Sequence, residues 1–394
     1  MRRTPGQVAP ALVFTLLTLP FAVSSQANEY SLDYKVEAGY EYDDNVGLRA
    51  ENEIDVSGGK ISLPATLAMR SERLETSLMG EVASAKYDDS GYNSDDQNLQ
   101  GKAAYELERG NVAGYAGFKR DSTRDSEFLD TGVVGLSATR VETATVGGSG
   151  DYLFTEKNGI IAGADYRDVD YDSPLKVDND FLSGHAGWTH QWSQRTRLRL
   201  QGYANRYEND AQLKVKSDSL GVQAGFDSTW SEQLSVSLLA GWVSVDTDYS
   251  TNLPIAPQDD DNNDGYLLNG SLNYRQERYT VAAKIKRELT PSGNGYLRVT
   301  NQLDLTYKYS VSERSHFELG LVGGQSSALD SRIDNDRDYA RARLRLDYRF
   351  SRSWYVAGTY IFSYQDQDRA DGDADSNQIN LSLIFHPEKN VWSR

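Results

Sequence analysis

The sequence predicts an all-β protein, a closed antiparallel transmembrane β-barrel of about 18 strands, with 16 or 20 as the alternatives. Three observations predict it: alternating apolar and polar residues, connections that alternate in length, and aromatic residues at strand ends. From Leu32 to Tyr42, even positions are apolar and odd positions are polar or glycine. A period of two gives one apolar face and one polar face, as in a half-buried strand. This pattern predicts a sheet that forms a wall around an internal space.

A signal peptide is predicted at residues 1–27. Arg2 and Arg3 form its basic end, residues 11–23 its apolar stretch, and Ser25-Gln26-Ala27 its cleavage site. A membrane anchor is the alternative, but the apolar stretch is short for one and contains Pro20. The barrel is therefore expected to span residues 28–394, with a short C-terminal tail at 387–394.

The alternation recurs almost to the C-terminus. It predicts strands at 30–42, 54–70, 74–87, 97–108, 112–120, 131–154, 159–169, 180–192, 196–207, 217–230, 234–246, 265–275, 278–289, 296–309, 315–326, 338–350, 354–365 and 376–386.

Short and long connections alternate along the chain, as in outer-membrane barrels with short periplasmic turns and longer external loops. Short ones such as 71–73 and 193–195 alternate with acidic stretches such as 170–179 and 247–264. A turn near Val141-Glu142-Thr143 would divide 131–154 in two. The unbroken parity there and the order of the later turns favour one long strand, which gives an even total.

Aromatic residues beside the short turns predict a girdle at one membrane boundary, because Tyr and Trp favour membrane–water interfaces. The predicted girdle residues are Trp192, Trp230, Trp354, Tyr274, Tyr279 and Phe350. Strands favour aromatic residues in any case, which is the alternative explanation. Pro64 is the one proline inside a predicted strand, where it indicates a bulge or a misplaced boundary.

Composition excludes several classes of protein. The net charge of −17 argues against a nucleic-acid partner. Cysteine is absent, which excludes thiolate nucleophiles and thiolate metal sites. After the signal peptide there is no apolar run long enough for a spanning helix. The mean hydropathy of −0.62 would suit a soluble protein, but alternation hides the apolar residues of a barrel from such averages.

The opening Gly39-Tyr40-Glu41-Tyr42-Asp43-Asp44-Asn45-Val46 resembles the start of a family of outer-membrane β-barrel porins, the porin-2-like barrels. The specific likeness is confined to these residues, although the pattern of strands extends it over the mature chain. The alternation ends at Phe385, like the aromatic end of an outer-membrane protein's terminal strand, but nine residues, 386–394, follow it here. The resemblance implies an association with exopolysaccharide production or export, and it identifies no substrate.

If the apolar parity faces lipid, the polar parity lines the lumen. The predicted lumen-lining residues are Arg197, Arg199, Lys284, Lys286, Arg298, Arg341, Arg343, Arg345, Arg349, Asp33, Glu37 and Glu41. One hypothesis is a basic ladder opposite an acidic wall, whose transverse field selects charged solutes or sugars. The alternative is that any lumen wall is polar and its charges pair with their neighbours.

No enzymatic or metal site is predicted, and no cofactor. The pattern Asp260-x-Asn262-x-Asp264-Gly265 matches half of a calcium loop, but Ser271 stands where the last ligand belongs. The four histidines, His185, His190, His316 and His386, have no spacing that places a nucleophile beside a base. An acidic loop and ordinary wall histidines are the simpler explanations.

The sequence therefore favours a porin-like channel in the bacterial outer membrane. It would pass hydrophilic solutes by diffusion or form part of an exopolysaccharide export system. The expected surroundings are outer-membrane lipid and lipopolysaccharide, with periplasmic polysaccharide-export proteins as partners in the second case. A non-conducting structural or adhesive barrel with acidic surface loops is the alternative function.

Overall fold

A computed structural model describes residues 28–122, 139–251, 261–330, 336–367 and 372–393. The predicted signal peptide and the first part of the predicted strand 131–154 lie outside these residues. Within them, no helix is long and apolar enough to cross a membrane.

All the strands belong to one antiparallel sheet. The first ten are β1 (Glu29–Tyr34), β2 (Val36–Asp43), β3 (Val56–Arg70), β4 (Leu74–Tyr87), β5 (Ser94–Leu107), β6 (Gly110–Ser122), β7 (Arg140–Leu153), β8 (Asn158–Tyr171), β9 (Asn179–Ser193) and β10 (Thr196–Asn209). The others are β11 (Leu213–Thr229), β12 (Leu234–Thr251), β13 (Asp261–Arg275), β14 (Tyr279–Pro291), β15 (Leu297–Ser310), β16 (Ser315–Ala328), β17 (Arg337–Arg349), β18 (Trp354–Gln367), β19 (Ala374–Phe385) and β20 (Asn390–Ser393). One 3₁₀ turn, Ser90–Tyr92, lies between β4 and β5.

The sheet closes on itself into a barrel of 18 strands, as the alternation predicted. Each strand from β3 to β18 pairs with its neighbours in sequence, and β19 pairs with β18 and with β2. Two of the 18 are interrupted: β1 and β2 form the first, and β19 and β20 form the last. The first and last described strand segments, β1 and β20, begin and end on the side with the short turns, here called the lower end. The opposite end is called the upper end.

Pro64 marks neither a bulge nor a strand boundary, so that expectation was wrong. It lies inside β3, opposite Lys35, whose backbone N–H donates to the Pro64 carbonyl at 3.0 Å. The register is the same on both sides, with Asp33 opposite Thr66 and Glu37 opposite Ser62. Because proline has no N–H, the ladder loses one bond there, which separates β1 from β2 without shifting the pairing.

The C-terminal segment 387–394, expected as a tail, contains β20. This strand pairs with β1, from Glu29 opposite Ser393 to Leu32 opposite Asn390. Residues 386–389 face 33–35, so one extra residue bulges between β19 and β20. The chain thus closes its sheet beyond Phe385, where the sequence indicated an end.

The connections also differ from expectation at the upper end. The strands β10 and β11 continue until only residues 210–212 connect them. Strand β7 passes through Val141, Glu142 and Thr143 without a turn, as parity predicted. Much of the predicted loop 247–264 belongs to β12 and β13, so Asn262 and Asp264 are strand residues. An extended backbone cannot wrap them around an ion, and no metal-binding cluster of acids or histidines occurs in the described residues.

Candidate functional site: the lumen and its upper mouth

The outer face of the barrel carries an apolar belt. Its large side chains are exposed, for example Leu63, Val222, Leu303 and Leu381, which are 44 %, 58 %, 54 % and 63 % exposed. Their cross-strand partners share the outer face, because directly paired residues in an antiparallel sheet point the same way. Exposure of apolar residues on this scale is typical of a surface that contacts lipid.

The predicted girdle residues lie together at the lower end. Trp192, Trp230, Trp354 and Phe350 are exposed beside the short turns. Tyr274 and Tyr279 are half-buried and lie 5.9 Å apart between ring centroids. Tyr40, Tyr42 and Trp242 are exposed on the same outer face towards the upper end. Two aromatic bands therefore border the apolar belt.

The inner face carries the charged residues that parity predicted. One cross-strand row runs from Glu41 through Asn380, Thr359, Arg345 and Glu318 to Lys308. Arg197, Arg199, Lys284, Lys286, Arg341, Arg343, Arg349, Asp33 and Glu37 share this face by the same pairing rule.

Many of these charges are neutralised by neighbours. The Arg345 guanidinium pairs with Asp347 at 2.9 Å and with Glu37 at 3.6 Å. Arg197 and Arg199 both pair with Asp227, at 3.6 Å and 2.9 Å. These groups support the simpler hypothesis, that lumenal charges pair with one another.

Four further predicted residues have local partners. Lys286 pairs with Glu288 at 2.7 Å. The Arg349 side chain donates to the Glu313 carbonyl at 3.2 Å, and Arg341 Nε donates to Ser363 Oγ at 3.0 Å. At the lower mouth, the Asp33 carboxylate lies 2.8 Å from His386 Nε2. The tautomer of that histidine decides which atom carries the proton.

Lys284 and Arg343 differ from the other predicted basic residues. Within the described ranges, neither has an ion pair or a side-chain hydrogen bond, and both are exposed on the inner face. Exposed Lys102 and half-buried Lys60, which were not among the predicted residues, also have no ion pair or side-chain hydrogen bond in those ranges. On the opposite wall, the Asp165 carboxylate also has no ion-pair partner among those residues. Parity could predict their inward direction but not their lack of partners, since pairing depends on the stagger between strands.

Arg298 is enclosed instead of lining an open lumen, being 1 % exposed. Its Nε donates to Ser326 Oγ and its Nη2 to the Ser326 carbonyl, both at 2.6 Å. The sequence pattern gave the correct parity for this residue. It could not show that the upper part of its hairpin is covered.

The first connection at the upper end, residues 44–55, folds over the inner face and is called the first loop. Asn45 is 2 % exposed and holds it: its side chain donates to the Arg49 and Asp375 carbonyls at 2.8 Å and 2.9 Å. Leu48 is 5 % exposed and packs with Tyr339 and Ala374, and Gln365 Nε2 donates to its carbonyl. The first loop therefore covers part of the lumen beside β17–β19.

A second segment, residues 288–299 at the top of β14 and β15, also leans inward and is called the inward hairpin. Leu289 packs in a cluster with Tyr203, Val243, Val245 and Leu267. Leu297 packs with Tyr207 and Val215. These partners lie on the inner faces of β10–β13, so the hairpin crosses the upper lumen.

Two polar contacts attach the turn of the inward hairpin to the far wall. The Val177 backbone N–H donates to the Gly293 carbonyl at 2.9 Å, and Asn209 Nδ2 donates to the Gly295 carbonyl at 2.7 Å. Gly295 has φ +86°, a conformation that glycine adopts without strain. Together the two inward segments narrow the upper mouth.

The sequence contained a signal for this narrowing. Tyr203, Tyr207, Val215, Val243 and Val245 are apolar or aromatic on the otherwise polar parity of β10–β12. A lumen wall in contact with water has no need of such residues. Apolar residues on both parities of neighbouring strand tops indicate that another segment packs inside.

Among the described residues, no histidine is placed beside a nucleophile by a hydrogen bond. His190 Nδ1 contacts Asn158 Oδ1 at 2.9 Å, and His386 contacts Asp33. His185 and His316 have no side-chain partner in the described ranges.

Comparisons with known proteins give likenesses of overall shape alone. No family model matches the sequence, and no curated protein matches it. Among solved structures, OpdQ of Pseudomonas aeruginosa is similar at a TM-score of 0.43 and 11 % identity, covering 91 % of this chain and 98 % of that one. OccK9 (OpdG) of the same organism gives 0.42 and 10 %, covering 91 % and 98 %.

A third similar structure is the ferric enterobactin receptor PfeA of Pseudomonas aeruginosa, in a mutant form. Its TM-score is 0.43 and its identity 10 %, covering 90 % of this chain and 80 % of that one. Similarity at these levels assigns no function, so the following proposals rest on the geometry of this chain.

Proposed function

We propose that the chain is a channel in the bacterial outer membrane through which small hydrophilic solutes diffuse. The observation that carries this proposal is the division of the closed sheet into an apolar outer belt and a charged inner face. A barrel of 18 strands encloses enough space for an aqueous channel. The aromatic bands fit the two membrane boundaries, and export would use the proposed signal peptide.

The charge and the width of the lumen would select which solutes pass. Lys284 and Arg343 keep their charges uncompensated by neighbours, so they act on solutes at longer range than the paired residues do. The first loop and the inward hairpin set the width of the upper mouth. A role in exopolysaccharide export is a narrower form of this proposal, supported by the resemblance at residues 39–46 alone.

A non-conducting barrel is the competing function, and the two inward segments favour it. If they filled the lumen, the acidic upper surface would become the working part, facing lipopolysaccharide and other cells. Asp246, Asp248 and Asp264 are exposed on the outer face there.

Planar bilayer recordings decide between the two. We expect discrete conductance steps from the purified barrel. Replacing residues 46–53 by a short glycine–serine linker should raise the step size, because it removes the Leu48 contacts from the mouth. Heat-modifiable gel mobility would verify that both proteins are folded. A folded barrel that conducts in neither form would support the structural function and contradict the channel.

A further inference from the structure

The ladder of the barrel has a discontinuity between β13 and β14. Their pairing ends where Leu268 faces Arg287, although β13 continues upward to Asp261 and β14 to Pro291. Above that level β13 stays with β12, and β14 stays with β15. Residues 261–267 of β13 therefore have no partner strand on the β14 side. A seam opens where the inward hairpin leaves the wall.

A side chain occupies the first position of the missing ladder. Arg287 Nε donates to the Tyr266 carbonyl at 3.1 Å, and its guanidinium lies 4.2 Å from the centroid of the Tyr266 ring. Arg287 Nη1 also donates to Asn301 Oδ1 at 2.7 Å. Exposed strand edges are normally paired or protected, and here one arginine protects only the lowest carbonyl.

The sequence of the hairpin also suits a position in the wall. Continuing the register upward would place Leu289 opposite Tyr266, and Thr290 opposite Gly265. Leu289 would then face outward beside exposed Tyr266, and Thr290 would face the lumen. Apart from Arg287, the alternation of β14 therefore continues to the end of the strand, although its pairing with β13 does not.

The inward position leaves polar groups without partners. The hydroxyls of Tyr203, Tyr207, Thr290 and Thr300 are buried and have no hydrogen-bond partner among the described residues. The two tyrosines belong to the clusters that receive Leu289 and Leu297. Buried hydroxyls without partners oppose the burial of apolar area there. The inward packing therefore combines favourable burial of apolar side chains with unfavourable burial of hydroxyl groups. Such a balance suits a segment that can adopt two positions.

We propose that the hairpin 288–299 is a gate with two positions. In the inward position it crosses the lumen and leaves the seam open. In the wall position, residues 288–291 pair with 264–267, which closes the seam and widens the mouth. Only the effect on conductance rests on the proposed channel function, because the movement of the hairpin can be measured separately.

Pairs of cysteines can trap each position, since the chain has no native cysteine. For the inward position, Val177→Cys and Gly295→Cys fit by distance, because a Cβ at Gly295 would lie 3.4 Å from Val177 Cβ. Gly295→Ala is the reference for this pair, because any side chain is strained at φ +86°. For the wall position, Gly265→Cys with Thr290→Cys is suitable. A Cβ at Gly265 meets only Val243 within 4 Å in the inward position, so this pair joins only after movement.

The control pair is Asn273→Cys with Ala282→Cys, which face each other below the seam in both positions. Disulfide formation is measured by mass spectrometry on barrels folded in lipid vesicles, and conductance is measured before and after reduction. We expect all three pairs to form disulfides. The inward pair should hold the channel at a low level and the wall pair at a higher one, and reduction should restore both levels. The control should change nothing.

Failure of G265C/T290C to cross-link, while the control pair does so, would overturn the gate. Cross-linking of both gate pairs without any effect on conductance would overturn its role in opening. If no variant conducts but G265C/T290C cross-links, the movement stands and the channel function fails. The two proposals are therefore separable.

Discussion

At the scale of single residues, the opening motif has a structural explanation. Asp43 Oδ1 accepts from Ser376 Oγ at 2.8 Å, and Asp44 binds both the backbone and the side-chain nitrogen of Asn377. Asn45 then ties the first loop to β19 through Asp375. Each residue of Asp43-Asp44-Asn45 thus contacts the strand that closes the barrel. The motif secures the closure and directs the loop inward, and it gives no information about a solute.

Asn45→Ala should destabilise the barrel. It removes the acceptor of the Arg49 N–H, at 3.0 Å, and the donor of two partly buried hydrogen bonds to carbonyls. Leaving such groups unpaired costs about 2–3 kcal/mol. The measurement is the urea midpoint of unfolding in lipid vesicles. Asn273→Ala is the matched control, because exposed Asn273 makes no side-chain hydrogen bond in the described part of the chain. Equal midpoints for both variants would contradict this explanation.

At the scale of elements, alternation predicted the strands well because a sheet between lipid and water exposes each parity to a different solvent. It failed at the tops of β14 and β15. There Leu289 and Leu297 keep the outward parity but pack on the inner wall. Parity describes which face of a strand is apolar, not what covers it. It also missed β20, because four residues of alternation are too few to separate from a tail.

The C-terminal β20 should contribute to stability. Trp392 stacks on Tyr30 of β1, with centroids 5.9 Å apart and planes at 12°. Losing such a pair costs about 1 kcal/mol beyond the lost burial. Trp392→Ala should therefore lower the urea midpoint. Leu175→Ala, at a residue 87 % exposed in a loop, should leave it unchanged. A Trp392→Ala barrel as stable as the control would show that β20 is a dispensable tail.

At the scale of the whole molecule, the lumenal charges are unevenly distributed, although Lys60 and Lys102 lie among the acids and Glu318 and Asp347 among the bases. Asp33, Glu37, Glu41, Glu81 and Asp165 lie on strands of the first half, whereas Lys284, Lys308, Arg341, Arg343 and Arg345 lie on β14–β17. Strand β8, which carries Asp165, lies halfway around the barrel from β17, which carries Arg343. Sequence parity predicted a basic ladder opposite an acidic wall. It could not show that local ion pairs neutralise many of these charges. The electric field in the lumen therefore comes mainly from the uncompensated residues.

Removing two uncompensated charges should change ion selectivity. The Lys284→Gln/Arg343→Gln barrel loses positive charge from one wall, so cations should pass more easily relative to anions. At about 0.1 M salt the screening length is near 10 Å, and the permeability ratio should shift by about two-fold. The measurement is the reversal potential in a salt gradient.

The matched control is Lys308→Gln/Glu318→Gln, which removes both partners of an ion pair at 3.1 Å and leaves the net lumenal charge unchanged. Its reversal potential should equal that of the unmodified barrel. At about 1 M salt, where screening falls to about 3 Å, the difference between the two variants should diminish. A shift of the same size in both variants would mean that pairing does not decide which charges act on solutes. No shift in either variant would mean that the inner wall is an ordinary polar surface.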